Sequence, residues 1–161
     1  MSSYDTLHRF EAEVSQIVRY VYFRSLPRAE QDLSVLRNKL ASLGEMGRGF
    51  YDAVRGIYVS SKERDQTSLY MKLYKRGVPQ EIRTMSEKFK GEAYRSTVDE
   101  YERGFLIAWE ISAKELAFLK ENYPDYPLKE EGEQSKAQQP KAEEAYEVAP
   151  RKKPRRQGRP D

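Results

Sequence analysis

The sequence predicts an all-α fold: a helical bundle of about five helices, with a helix–proline corner–helix N-terminal arm and a disordered C-terminal tail. Three observations predict it. Apolar residues recur at intervals of three and four over most of residues 5–122, the stripe of amphipathic helices. No stretch alternates apolar and polar residues with period two, so little or no sheet is expected. From Pro124 onward Pro, Glu, Gln, Lys and Ala dominate, and Leu128 and Val148 are the only large aliphatic residues. Such a segment buries too little apolar surface to offset its ordering entropy.

The first helix is predicted to start near Asp5 or Thr6, both good N-caps, and to carry Leu7, Phe10, Val14, Ile17, Val18 and Val21 on one face. Ser25-Leu26-Pro27 interrupts it, because proline suits the first turn of a new helix and not the interior of an old one. The second helix carries Leu33, Leu36, Leu40 and Leu43 and stops at Gly44, a natural C-terminal cap. Gly44, Gly47 and Gly49 are expected to loosen the next connection into a loop. A third helix then carries Phe50, Val54, Ile57 and Tyr58, and a short fourth carries Leu69, Tyr70, Leu73 and Tyr74 before Gly77 and Pro79. Ile82, Met85 and Phe89 form the next, with Gly91 as a candidate break point. The longest pattern runs from Val98 through Tyr101, Phe105, Ala108, Trp109, Leu116 and Leu119 to Asn122, closed by Tyr123-Pro124. The expected divisions are an arm over 1–44, a bundle over 45–123 and a tail over 124–161, acidic and then basic.

The portion before the tail is about 125 residues, enough for a hydrophobic core. No apolar run approaches the roughly 20 residues that span a bilayer, and the N-terminus lacks the basic-then-apolar pattern of a signal peptide. The chain is thus expected to be soluble, in a virion or otherwise in the cytoplasm. It contains no cysteine, which excludes disulfides, thiolate metal sites and a cysteine nucleophile. Asn38 and Asn122 are the only asparagines, and 34% of residues are charged. That combination fits a thermophilic source, and chance in a short chain fits it as well.

Nothing in the sequence assembles a catalytic centre, so a non-enzyme without a cofactor or metal is expected. His8 is the only histidine and reads as a partly exposed helix residue. Gly44-Glu-Met-Gly-Arg-Gly49 superficially resembles a phosphate loop, but it lacks the Gly-Lys-Ser/Thr ending and no strand precedes it. Asp99, Glu100 and Glu102 diverge around a helix and read as a solvated face.

Charge is more informative. Residues 19–76 hold 12 Lys/Arg against 6 Asp/Glu, and residues 148–161 hold 6 against 1, whereas 81–128 and 129–147 are each net −3. Positive charge gathered in two places implies an anionic partner. The candidates in the first half are the 12 cations of residues 19–76, among them Arg19, Arg24, Arg28, Arg37, Arg48, Arg55, Arg64 and Arg76. Most are arginine, whose planar fork binds phosphate in a bidentate manner. Tyr20, Tyr22, Tyr51, Tyr58, Tyr70 and Tyr74 lie among the basic residues, and tyrosine hydroxyls also reach phosphate. The other reading is a salt-bridged surface with tyrosines half in the core. An auxiliary basic tail comprises Arg151, Lys152, Lys153, Arg155, Arg156 and Arg159, six cations within nine residues. Such a run binds polyanions with strong salt dependence. Gly158-Arg159-Pro160 resembles part of an AT-hook, although Gln157 stands where that element has its first core arginine.

A tyrosine-rich, cysteine-free helical chain with a basic first half, and with helix, proline corner and helix in residues 5–43, resembles the major capsid proteins of archaeal filamentous viruses. That resemblance is architectural and rests on no specific motif. It implies a structural protein of the virion that coats and packages double-stranded DNA in the A-form, working with copies of itself or a related subunit in a helical filament. Its nucleic-acid-binding residues, those facing the duplex, would then be among Arg9, Arg19, Arg24, Arg28, Arg37, Lys39, Arg48 and Arg55. The long charged tail departs from the family's pattern. The alternatives are a small helical RNA-binding subunit of a CRISPR-type ribonucleoprotein and, below it, a DNA-binding regulator of the helix-turn-helix kind.

Overall fold

A computed structural model describes residues 3–126, and these are all-helical. The expected first helix is two: α1 (Ser3–His8) and α2 (Glu11–Tyr22), separated by a turn at Arg9–Phe10 in which the Phe10 amide donates to the Leu7 carbonyl at 3.0 Å. The turn lets Leu7 sink fully into the core while Tyr4 and His8 reach across to a later helix. The apolar stripe of α2 is read correctly: Val14, Ile17, Val18 and Val21 are completely buried.

α2 ends in a Schellman motif. The Arg24 amide donates to Val21 O at 3.0 Å and the Ser25 amide to Tyr20 O at 2.8 Å, with Arg24 itself left-handed at φ 63°. α3 (Leu26–Leu40) then starts with Pro27 in its first turn, as expected, and buries Ala29, Leu33, Leu36 and Leu40. A 3-10 turn (Ala41–Leu43) leads to Gly44, whose φ of 62° and ψ of −143° suit only glycine.

The largest departure from expectation follows. The glycine-rich segment is not a loop: α4 (Gly44–Glu63) begins at Gly44 and runs straight through Gly47 and Gly49. These glycines serve close approach. A Cβ on Gly49 would collide with the carbonyl oxygen of Tyr101, and one on Gly104 with that of Met46. The two helices therefore cross backbone to backbone, each glycine facing the other helix. α5 (Leu69–Arg76) is capped by Ser68, whose hydroxyl accepts the Met71 amide at 3.2 Å. α6 (Pro79–Ala93) passes through Gly91 instead of breaking there, since a single glycine in a helix costs only about 1 kcal/mol. α7 (Glu100–Asn122) starts from Asp99, whose carboxylate accepts the Glu102 amide at 2.8 Å. Asp99 is thus a cap and not simply part of a solvated face.

α7 is the axis of the molecule. It packs against α4, α6 and α2, and every residue from Leu106 to Ala113 is buried. A helix buried on all sides at its centre is the core of the bundle. α2 and α3 contribute to that same core, so the segment read as an N-terminal arm packs onto α4 and α7. Of the tail expected over 124–161, residues 124–126 are described, and Tyr126 packs against the core; the rest lies outside the described residues. No helix among the described residues is long and apolar enough to cross a membrane.

Candidate nucleic-acid interface

α3 and α4 form an antiparallel pair. Arg37, late in α3, meets Tyr51, early in α4, and Glu30, early in α3, meets Tyr58, late in α4. Along α4 the positions 48, 51, 55, 58 and 62 follow the 3,4,3,4 spacing that keeps residues on one face. They are Arg48, Tyr51, Arg55, Tyr58 and Lys62, an alternation of cation and tyrosine about 21 Å long at 1.5 Å per residue. The three cations are exposed, Tyr51 is half-buried and Tyr58 is buried.

The cations rest on the rings. The Arg37 guanidinium lies 6.0 Å from the Tyr51 centroid, Arg48 lies 5.7 Å from that of Tyr101 on α7, and the Lys62 ammonium lies 6.0 Å from that of Tyr58. Each contact contributes about 0.5–1 kcal/mol at an exposed site and holds a long side chain in place. The tyrosine hydroxyls turn to carboxylates: Tyr101 donates to Asp52 at 2.7 Å and Tyr58 to Glu30 at 3.3 Å. The bond to Asp52 pushes the Tyr101 phenol up, helped by burial. Burial first and the Glu30 charge second push up Tyr58, so both remain hydroxyl donors at neutral pH. Residues 37–62 contain 5 Lys/Arg and 2 Asp/Glu. Arg48 has one weak partner, Glu45 at 3.4 Å, and both side chains are more than half exposed. An exposed pair of this kind is worth about 0.3–0.5 kcal/mol, so a phosphate displaces it easily. Among the described residues no carboxylate pairs with Arg37 or Arg55.

The structure separates the eight cations expected to share one interface. Arg37, Arg48 and Arg55 come together around Tyr51. Arg28 and Lys39 lie on the other side of α3, against α2: Arg28 sits 5.8 Å from the Tyr20 ring centroid, and Lys39 pairs with Glu13 at 3.0 Å. Arg19 faces α7, paired with Glu115 at 2.9 Å beside Phe118. Arg9 is exposed at the α1–α2 turn. Arg24 is turned inward: its guanidinium donates to the carbonyl and hydroxyl of Ser61 at 2.5 and 2.7 Å. It caps the C-terminus of α4, where helix carbonyls lack partners and the dipole favours a cation. Burial and then Arg64 lower its pKa. Lys120 does the same for α5, donating to Tyr74 O at 2.6 Å. Arg151, Lys152, Lys153, Arg155, Arg156 and Arg159 lie outside the described residues.

Sequence reasoning passed over Lys62 and the platform role of Tyr51 and Tyr101. The 48–51–55–58–62 spacing carried the signal for the stripe, but reading Gly44–Gly49 as a loop cut its first residue off from the helix. It also passed over the contact of His8 with Glu110 across 102 residues of sequence, which no local pattern announces. Among the described residues no group of three or more His, Cys, Asp or Glu is placed to hold a metal ion. Comparison with family models, curated proteins and solved structures finds no match to this chain.

Proposed function

We propose that this all-helical protein is a structural nucleic-acid-binding protein that coats double-stranded DNA without reading its sequence, as a subunit of a filamentous virion capsid. The supporting observation is the stripe of Arg48, Tyr51, Arg55, Tyr58 and Lys62 on α4, flanked by Arg37 of α3, with its arginines exposed and two of them stacked on tyrosine. Backbone phosphates supply the affinity of non-specific binding, and arginine is the side chain best matched to them. The tyrosine faces are already covered by cations, which suits phosphate contact better than the stacking of unpaired bases. Coating requires only a few such contacts per copy, repeated along the duplex, and the basic tail adds an auxiliary arm.

Titration of a labelled duplex at several salt concentrations tests the reading, with R37Q/R48Q/R55Q as the variant. Each phosphate contact contributes about 0.9 to the slope of log affinity against log salt. The variant is expected to lose about 2.7 of slope, equally on unrelated sequences, and the wild type is expected to form filaments on long duplex under the electron microscope. An unchanged slope refutes the interface. Preference for single-stranded RNA without filaments refutes the coating function and favours the ribonucleoprotein alternative.

A further inference from the structure

α1 is six residues long and meets the bundle through Leu7 in the core, through the side chains of Tyr4 and His8 on Glu110 of α7, and through the Tyr4 ring against Tyr94 and Lys90, among other contacts. We propose that α1 is a pH-operated latch, docked on α7 while His8 is protonated and released when His8 loses its proton.

The hydrogen-bond geometry carries this inference. His8 Nε2 lies 3.5 Å from Glu110 Oε2, and its Nδ1 lies 3.1 Å from the Tyr4 carbonyl oxygen. Both ring nitrogens face acceptors. A neutral imidazole carries one N–H and satisfies only one of them, whereas the imidazolium satisfies both. Glu110 needs that cation. Its side chain is only 7% exposed, Oε1 has no hydrogen-bond partner, and Oε2 depends on His8 and on the Tyr4 hydroxyl at 2.7 Å. A buried carboxylate stripped of a charged partner is strongly disfavoured.

The other charged and titratable groups nearby do not replace His8. From α6, Lys90 attracts Glu110 from a distance and lies over the Tyr4 ring, 5.9 Å from its centroid. From α2, Glu11 also favours protonated His8, but it is held by Lys114 at 3.1 Å. Tyr94, just after α6, sets its ring against that of Tyr4, tilted, with the centroids 4.9 Å apart.

Burial alone lowers the His8 pKa, but the bonds to Glu110 and to the Tyr4 carbonyl outweigh it and the docked value lies above 6.5. The sign follows. Docking is fully supported below pH 6.5, and that support is lost as pH rises through the docked value. Each unit between the two values weakens docking tenfold. Release frees Tyr4 to His8, uncovers the seat of Leu7 and exposes Glu110, while α2 stays in the core.

His8 is the sole histidine, so its ring C2–H is a single proton resonance. The test is to titrate that resonance in the full chain and to follow amide exchange, corrected for intrinsic rates, at residues 4–8 and in α7. The expected results are a His8 pKa above 6.5 and a fall in α1 protection through that same pKa. The fall should match the ratio of the two acid constants, with α7 protection unchanged. In H8Q the pH dependence of α1 should vanish. A His8 pKa at or below 6.5 overturns the latch. So does α1 protection that stays level as His8 titrates, or an H8Q variant that keeps the wild-type pH dependence.

Discussion

Replacing Gly104 by alanine inserts one methyl group where α7 crosses α4, and the structure places the new Cβ against the backbone carbonyl of Met46. Backbone cannot rotate away as a side chain can, so the helices must separate. Separation loosens Phe50, Ala53, Ile107 and Ala108, all essentially inaccessible to solvent at or near the crossing. Overpacking of this kind costs about 1–3 kcal/mol, and the lost contacts add to it, against about 1 kcal/mol returned by the better helix propensity of alanine. The net expectation is a loss of about 2 kcal/mol, a large share of a typical domain's stability of about 5–15 kcal/mol. Gly56 is the control. It lies in α4, the helix that Gly104 of α7 crosses, is exposed, and has open space around its would-be Cβ. There the same substitution is expected to stabilise by about 0.5–1 kcal/mol. Urea unfolding followed by circular dichroism measures both variants, with a common m-value as the check on two-state behaviour. If G104A unfolds at the same or higher urea concentration than G56A, the helices do not cross as closely as described. G49A, which meets the Tyr101 carbonyl from the other side, is expected to behave like G104A.

Arg64 holds φ 53° at the C-terminus of α4 and is exposed, so R64G is expected to raise stability by about 1 kcal/mol in the same urea assay. R24A removes charged hydrogen bonds to Ser61 and is expected to cost about 1.5–3 kcal/mol, while R55A stays within about 0.5 kcal/mol, which separates the structural arginine from the interface one. S68A deletes the N-cap of α5 and is expected to lower stability by about 1 kcal/mol. The Glu110 carboxyl is depressed: burial raises its pKa, but the bonds to His8 and Tyr4 prevail. While His8 is protonated its contribution is therefore complete above pH 4.5 and lost as pH falls through the lower folded value, and a stability–pH curve of E110Q should have a flatter acid limb than the wild type.

Much of the helical framework was legible from spacing. The stripes of α2, α3 and α7 and the proline start of α3 follow from the chain's own periodicity, because burial of one helix face leaves a mark every three or four residues; in α5 the expected Leu69 is exposed and Met71 is buried in its place. Glycine is where local reading failed. Gly44, Gly47, Gly49 and Gly91 look like helix breakers, yet a helix runs through Gly47, Gly49 and Gly91, and Gly44 opens one. Glycine has a modest local cost that a close helix crossing readily offsets. The candidate interface was half legible. Arg37, Arg48 and Arg55 were named from composition, but nothing local distinguished them from Arg24, which the fold turns inward onto Ser61.

By itself, then, the sequence determined that the chain is helical, where most helices lie, and that its first half carries excess positive charge. These depend on periodicity, proline and composition, which are local properties. The tertiary structure decided which cations face outward together, which ones turn inward to cap helix ends, and that a histidine near the N-terminus meets Glu110 far along the chain. The physical reason is that exposure and charge pairing depend on how helices pack. Here the packing turns on Gly49 and Gly104, whose missing side chains let α4 and α7 touch.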